Sequence, residues 1–185
     1  MTCNRETKKG GGVAIYVKNG IDHSLVEELT FTIHQNIEAI GIRLNSKKHG
    51  TTYICCIYRA PNYPVDPFLE QIQKIMDHTK HRRTFICGDF NIDLIKSNSS
   101  HESRDLAEIM NSRGMIPLIN SPTRITRSTA TIIDNIYTNE IRNTIISGIV
   151  IEDISDHLPI FALCDLEIQK HTSNYSREKK QMNKP

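Results

Sequence analysis

Thr84-Phe85-Ile86-Cys87-Gly88-Asp89-Phe90-Asn91 is the stretch on which the fold turns. A short apolar run closed by glycine predicts a strand over 83–87, ended by Gly88. The run delivers a carboxylate and a carboxamide, two residues apart, onto the loop at its end. The rim of a sheet holds polar groups rigidly, which is where binding and catalytic side chains are most useful. Taken alone, the same pair also fits an ordinary Asx-turn, in which Asp and Asn cap a loop.

Working upstream, Thr51-Thr52-Tyr53-Ile54-Cys55-Cys56-Ile57-Tyr58-Arg59 is almost continuously apolar and predicts a buried central strand. It ends at Ala60-Pro61-Asn62. Strands are also expected over 12–18 (after three glycines) and over 36–45. Between 59 and 83, Asp66-Pro67 offers an N-cap followed by proline at the first helical position. Phe68, Leu69, Ile72, Ile75 and Met76 follow at helical spacing, so a helix is predicted over 67–79. Downstream, Leu106, Ile109 and Met110 define a helix over 102–113 with Gly114 beyond its end. Short strands follow near 115–119, 131–137 and 144–151, and 158–168 closes the domain. From Gln169 the chain is polar, so 1–168 is expected as one domain and 169–185 as a tail or the start of a linker. Strands mixed with two helical crossovers indicate α/β or α+β.

Composition agrees with a packed core. The 185 residues include 28 Ile but only 10 Leu, a bias toward β-branched side chains and hence toward strands. No apolar run approaches the length of a transmembrane helix, and residues 1–12 carry no apolar h-region, so neither a membrane span nor a signal peptide is expected. Five Cys with no C-x-x-C pair predict buried free thiols in a reducing, intracellular setting (nucleus or cytoplasm), rather than a disulfide framework or a cysteine zinc site. A net charge of +2 does not by itself argue for nucleic acid.

Three more stretches interrupt apolar sequence with chemistry. Ser155-Asp156-His157-Leu158-Pro159 places an Asp–His pair before the closing strand, able to stabilise charge, ligate a metal or shuttle a proton, or to serve as a plain polar loop. Ile132-Ile133-Asp134-Asn135-Ile136-Tyr137 puts a carboxylate inside an apolar strand, where it needs a partner; an imidazolium is a natural one. Ile57-Tyr58-Arg59-Ala60-Pro61-Asn62 puts a phenol at the end of a buried strand, which also suits an interfacial tyrosine with a wet hydroxyl.

Taken together, Y-x-x-P-N, G-D-F-N, I-D-N-I-Y and S-D-H-x-P in this order resemble the endonuclease/exonuclease/phosphatase family, in particular the endonuclease domain of non-LTR retrotransposons. Gly10-Gly11-Gly12-Val13-Ala14-Ile15-Tyr16-Val17 and Ser121-Pro122-Thr123-Arg124-Ile125-Thr126 are similar to segments of that group. The resemblance spans about residues 10–168. It implies a deoxyribonuclease-I-like, two-sheet β-sandwich flanked by helices, and metal-dependent phosphodiester hydrolysis.

Carried over by motif, the resemblance implies that Asp89 positions or deprotonates the attacking water. Asn91 would hydrogen-bond the phosphate or orient Asp89, and Tyr58 would contact the phosphate. His157 would donate to a phosphate oxygen, with Asp134 holding its imidazole, and Asp156 would help hold the metal. The implied cofactor is Mg²⁺ or Mn²⁺, since oxygen ligands with a phosphate suit hard cations, and no small-molecule cofactor is implied. The implied partner is DNA, nicked to expose a 3′ hydroxyl primer, with a reverse transcriptase domain downstream in the full element. Arg124 and Arg127 are the expected backbone contacts. The His81-Arg82-Arg83 cluster is expected instead to cap a helix C-terminus. Family members open with a strand ending in Asn and a strand ending in a metal-ligating Glu, both ahead of the G-G-V-A-I-Y strand. This chain starts almost at that strand, so it reads as N-terminally truncated and lacking its first strands. Glu6 follows no apolar strand and reads as loop. The alternatives are a catalytically inactive remnant that at most binds nucleic acid, and a phosphatase or lipid phosphodiesterase of the same family.

Overall fold

The computed structural model describes residues 12–46, 50–96, 99–141, 144–152 and 154–165, together with the backbone of residues 2–3. Glu6 and the expected tail over 169–185 lie outside the described residues. In chain order the strands are β1 (Thr2–Cys3), β2 (Val13–Ala14), β3 (His23–Ile33), β4 (Ile37–Ser46), β5 (Gly50–Arg59), β6 (Arg83–Asp89), β7 (Ile116–Pro117), β8 (Arg124–Ile125), β9 (Ala130–Thr131), β10 (Asp134–Thr138), β11 (Ile146–Ile149) and β12 (Ile160–Leu163). Helix α1 spans Val65–His78 and α2 spans His101–Ser112.

The main sheet has six strands in the order β3-β4-β5-β6-β10-β7. Its β5–β6 pair is parallel and the other pairs are antiparallel. α1 is the crossover between the parallel strands, as such a connection requires. Side chains alternate across this sheet. Ala39, Cys55, Ile57, Ile86 and Tyr137 join Phe68, Ile72, Ile75, Leu106 and Met110 of the helices in one buried cluster. Cys56, Cys87, Asp89, Asp134 and Ile136 instead line a cleft on the opposite face, together with His157 and Ile160. A small second sheet, β11–β12, contacts β10. The architecture is a mixed, sheet-dominated α+β fold with helices on one face. No helix among the described residues is long and apolar enough to cross a membrane.

Several expectations shift. β3 is absent from the sequence-based reading. A register shift between Val26 and Phe31 puts buried Val26 and Leu29 three residues apart, which disguises the strand period. The strand expected over 12–18 is ladder-paired only at Val13–Ala14, opposite β1, and Tyr16 is exposed. α1 begins at Val65 after Pro64, so Asp66 lies within its first turn and is not its cap. α2 ends as expected, with Gly114 at φ 67° and Met115 N–H donating to Met110 O at 3.0 Å. Expected 131–137 is split into β9 and β10, and the closing strand is described over Ile160–Leu163. Arg83 does not cap a helix: it opens β6 and pairs with Glu140 at 2.5 Å, both side chains buried. Of the four described cysteines, all free, only Cys55 is fully buried; Cys56, Cys87 and Cys164 are partly exposed.

Gly88 does not end the strand either. It lies inside β6 at φ 146°, and a Cβ there would sit 1.8 Å from the Ile57 carbonyl oxygen. Only glycine lets β6 run this close to β5 and carry Asp89 to the rim.

Candidate active site

β5 and β6, being parallel and in register, end at the same rim of the sheet. Tyr58 is the register partner of Asp89 on one side, and Asp134 is its partner across β10 on the other. Tyr58, Asp89 and Asp134 therefore stand in one row across three strands, on the cleft face.

Asp89 is held by the residue two positions on. Asn91 N–H donates to Asp89 Oδ1 and Asn91 Nδ2 donates to Asp89 Oδ2, each at 2.9 Å. Asn91 Nδ2 also donates to the Arg59 carbonyl oxygen at 2.8 Å. Asn91 occupies the left-handed region at φ 49°, which Asn tolerates better than most residues. Arg59, only 3% exposed, returns from below: its guanidinium donates to the carbonyl oxygens of Phe90 (2.8 Å), Asn91 (2.6 Å) and Tyr63. Burial, then the Asp134 charge, push the Asp89 carboxyl up to about 6, against the hydrogen bonds from Asn91 and the charge of His157.

Asp134 carries the second half. His157 Nδ1 lies 3.0 Å from Asp134 Oδ2 and 3.2 Å from Oδ1. A carboxylate can only accept, so Nδ1 carries the donated proton, and Nε2 is the remaining ring nitrogen. Thr123, fully buried, donates from Oγ1 to Asp134 Oδ2 at 2.8 Å and accepts from the amides of Ile133 and Asp134. Its carbonyl oxygen receives Leu158 N–H at 2.6 Å, and Arg124 forms an isolated β-bridge with His157. One threonine thus ties the Asp134 strand to the His157 segment. Ser155 Oγ accepts His157 N–H at 3.1 Å.

The sequence-predicted residues divide accordingly. Asp89, Asp134 and His157 converge: their ligand atoms lie within 4.8 Å of one another, at a cleft of about 410 Å³. Asn91 and Tyr58 adjoin them through Asp89. Asp156 stands apart from this group and pairs with Arg124 Nε at 2.8 Å; that hydrogen bond holds its carboxyl below the usual carboxylate range. Arg124 is therefore already engaged, and Arg127 lies in the turn between β8 and β9. Thr123, Arg59 and Ser155 escaped assignment. Thr123 lies inside the quoted S-P-T-R-I-T segment, and Arg59 is a charge at the end of an apolar strand. Those were the available signals.

The two facing carboxylates suit a hard divalent cation, while the imidazole beside them is tied to Asp134 through Nδ1. Burial first, and the Asp134 charge second, raise the Asp89 carboxyl, and a bound cation would offset both.

Residues 52–161 match the family model described as endonuclease-reverse transcriptase. No curated protein sequence matches the chain. Among solved structures, the endonuclease domain of TRAS1, a telomere-specific non-LTR retrotransposon, superposes with a TM-score of 0.64 at 22% identity. The match covers 80% of this chain and 68% of that one. An endonuclease/exonuclease/phosphatase from Beutenbergia cavernae superposes with a TM-score of 0.51 at 14% identity, covering 67% of this chain and 38% of the other. At these identities the structural likenesses speak for the fold.

Proposed function

The chain belongs to the endonuclease-reverse transcriptase family, and from that premise we propose that it hydrolyses phosphodiester bonds in DNA, nicking one strand to leave a 3′ hydroxyl end that a linked reverse transcriptase domain could extend. The observation that carries this reading is the meeting of the Asp89–Asn91 and Asp134–His157 pairs at one cleft.

A phosphodiester is anionic, so its hydrolysis needs a base for the water and positive charge or donors on the phosphate oxygens. Asp89, oriented by both nitrogens of Asn91, accepts the proton of the attacking water. Without a bound cation its carboxyl is pushed up to about 6, so it is ionised at neutral pH and free to accept a proton. Asp134 fixes the His157 ring through Nδ1, which leaves Nε2 to donate to a phosphate oxygen when the ring is protonated. Tyr58, beside Asp89 in the register, supplies a further donor to the phosphate. Asp89 and Asp134, with Asp156 at the rim, would hold Mg²⁺ or Mn²⁺, and such an ion would supply further positive charge against the phosphate oxygens. Arg127, and Arg124 if released from Asp156, contact the DNA backbone.

The test is supercoiled-plasmid nicking with Mg²⁺ or Mn²⁺. Asp89→Ala and His157→Ala should each lower it by at least about 10²-fold, the usual size of a base or charge-stabilising contribution. Wild-type nicking by either variant removes that residue from the mechanism.

A further inference from the structure

We propose that Arg59 is a positioning residue for this chemistry, its buried guanidinium fixing the loop geometry through which Asn91 presents Asp89. The proposal rests on Asp89 acting as the base. Arg59 is the last residue of β5, and its side chain turns away from the cleft, toward the helical side. There each of its three nitrogens donates to a main-chain carbonyl: Phe90 and Asn91 in the loop after β6, and Tyr63 in the loop after β5.

Arg59 as a whole is only 3% exposed, and a guanidinium drawn into such a place is expensive to desolvate and persists only where its donors are met. Here they are met by the two loops that frame the rim. The grip is double, because the Arg59 carbonyl also accepts from Asn91 Nδ2 while the guanidinium holds the Asn91 carbonyl. Asn91 sits at φ 49°, a conformation that survives only when its surroundings over-determine it. The same Asn91 amide nitrogens that Arg59 locates are the ones that hold the two Asp89 oxygens. Lysine could not replace it: a point charge on a flexible stem cannot span three carbonyls as a planar fork does. A displacement of about 1 Å in a reacting group can lower a rate by about 10²-fold, so the effect should appear in turnover and not in substrate binding.

The experiment uses the full 185-residue chain with Arg59→Lys, Arg59→Ala and Asp89→Ala. Two things are read: hydrogen-exchange protection of the Asn91 side-chain amide by NMR without metal, and kcat and KM for plasmid nicking with Mn²⁺. In the Lys variant, protection of the Asn91 amide should fall to that of an exposed amide. In parallel, kcat should fall by about 10- to 10²-fold with KM unchanged. Low-millimolar guanidinium chloride, but not matched sodium chloride, should restore part of the kcat of the Ala variant by refilling the fork's place. Retained Asn91 protection in Arg59→Lys overturns the proposal, as does lost protection with wild-type kcat. If the wild-type chain does not nick DNA beyond the Asp89→Ala control, the catalytic premise has failed; the amide measurement then still decides whether Arg59 sets this loop. If Arg59→Ala does not fold, the Lys variant and exchange of the wild-type Arg59 Nε–H carry the test, and fast exchange of that proton refutes the grip.

Discussion

Asp89 carries a carboxyl pushed up to about 6 because it is part-buried and faces Asp134. The consequences for pH have a definite sign. Replacing Asp134 by Asn removes a neighbouring negative charge, so in chelator the Asp89 carboxyl should titrate below its wild-type value; carbon-detected NMR of the carboxyl reads this, and an unchanged or higher midpoint contradicts the pairing. A carboxyl raised in the folded state favours folding while protonated. That contribution is fully present below about 4, the ordinary value, and is lost as pH rises through about 6. The gap in melting temperature between wild type and Asp89→Asn, measured without metal, should therefore change across this interval and be flat above it. Thr123 is the other residue whose chemistry is concentrated in one atom. Thr123→Val keeps the shape but leaves the Ile133 and Asp134 amides and an Asp134 oxygen without that hydroxyl. Urea denaturation should show a loss of about 1–3 kcal/mol, the cost of stranding buried polar groups; a loss near zero would mean that the hydroxyl is dispensable.

Elements that keep one uninterrupted period are legible in the sequence. β4, β5, β6 and both helices fall within a residue or two of where their apolar spacing puts them. β3 was not legible, since its bulge breaks the alternation in the middle of the strand. The site divides along the same line. Asp89, Asn91, Asp134 and His157 announce themselves as polar residues interrupting apolar runs. Thr123 and Arg59 do not, because what they bond lies 11 and about 30 residues away along the chain. Gly88 shows how an element can be read correctly for the wrong reason: the glycine ends nothing but permits an approach. Gly88→Ala must push β6 off the Ile57 carbonyl and also adopt a conformation that alanine resists. It should lower stability by at least about 3 kcal/mol, at or beyond the upper end for overpacking. A variant with a wild-type urea midpoint would show that the two strands are not so close.

For the molecule as a whole, the central sheet separates two jobs. The helix-covered face supplies cohesion through Phe68, Ile72, Ile86 and Leu106, all fully buried, while the other face presents the cleft. Ile72→Ala should therefore lower the unfolding free energy by about 2–5 kcal/mol yet leave the Asp89 titration where it was; a shift in that titration would mean that the faces are coupled. The parallel β5–β6 pair has a further consequence, in time. The β3–β4–β5 meander closes through short connections, whereas β6 is reached only through α1, and the His157 segment bonds to residues at β8 far from it in the chain. Local pairings form fast and distant ones late. Stopped-flow measurements should accordingly find that Ile42→Val in β4 slows refolding, whereas Thr123→Val mainly hastens unfolding. A chain caught partway would already hold the meander and still lack an assembled cleft, so the proposed chemistry would wait for the last strands.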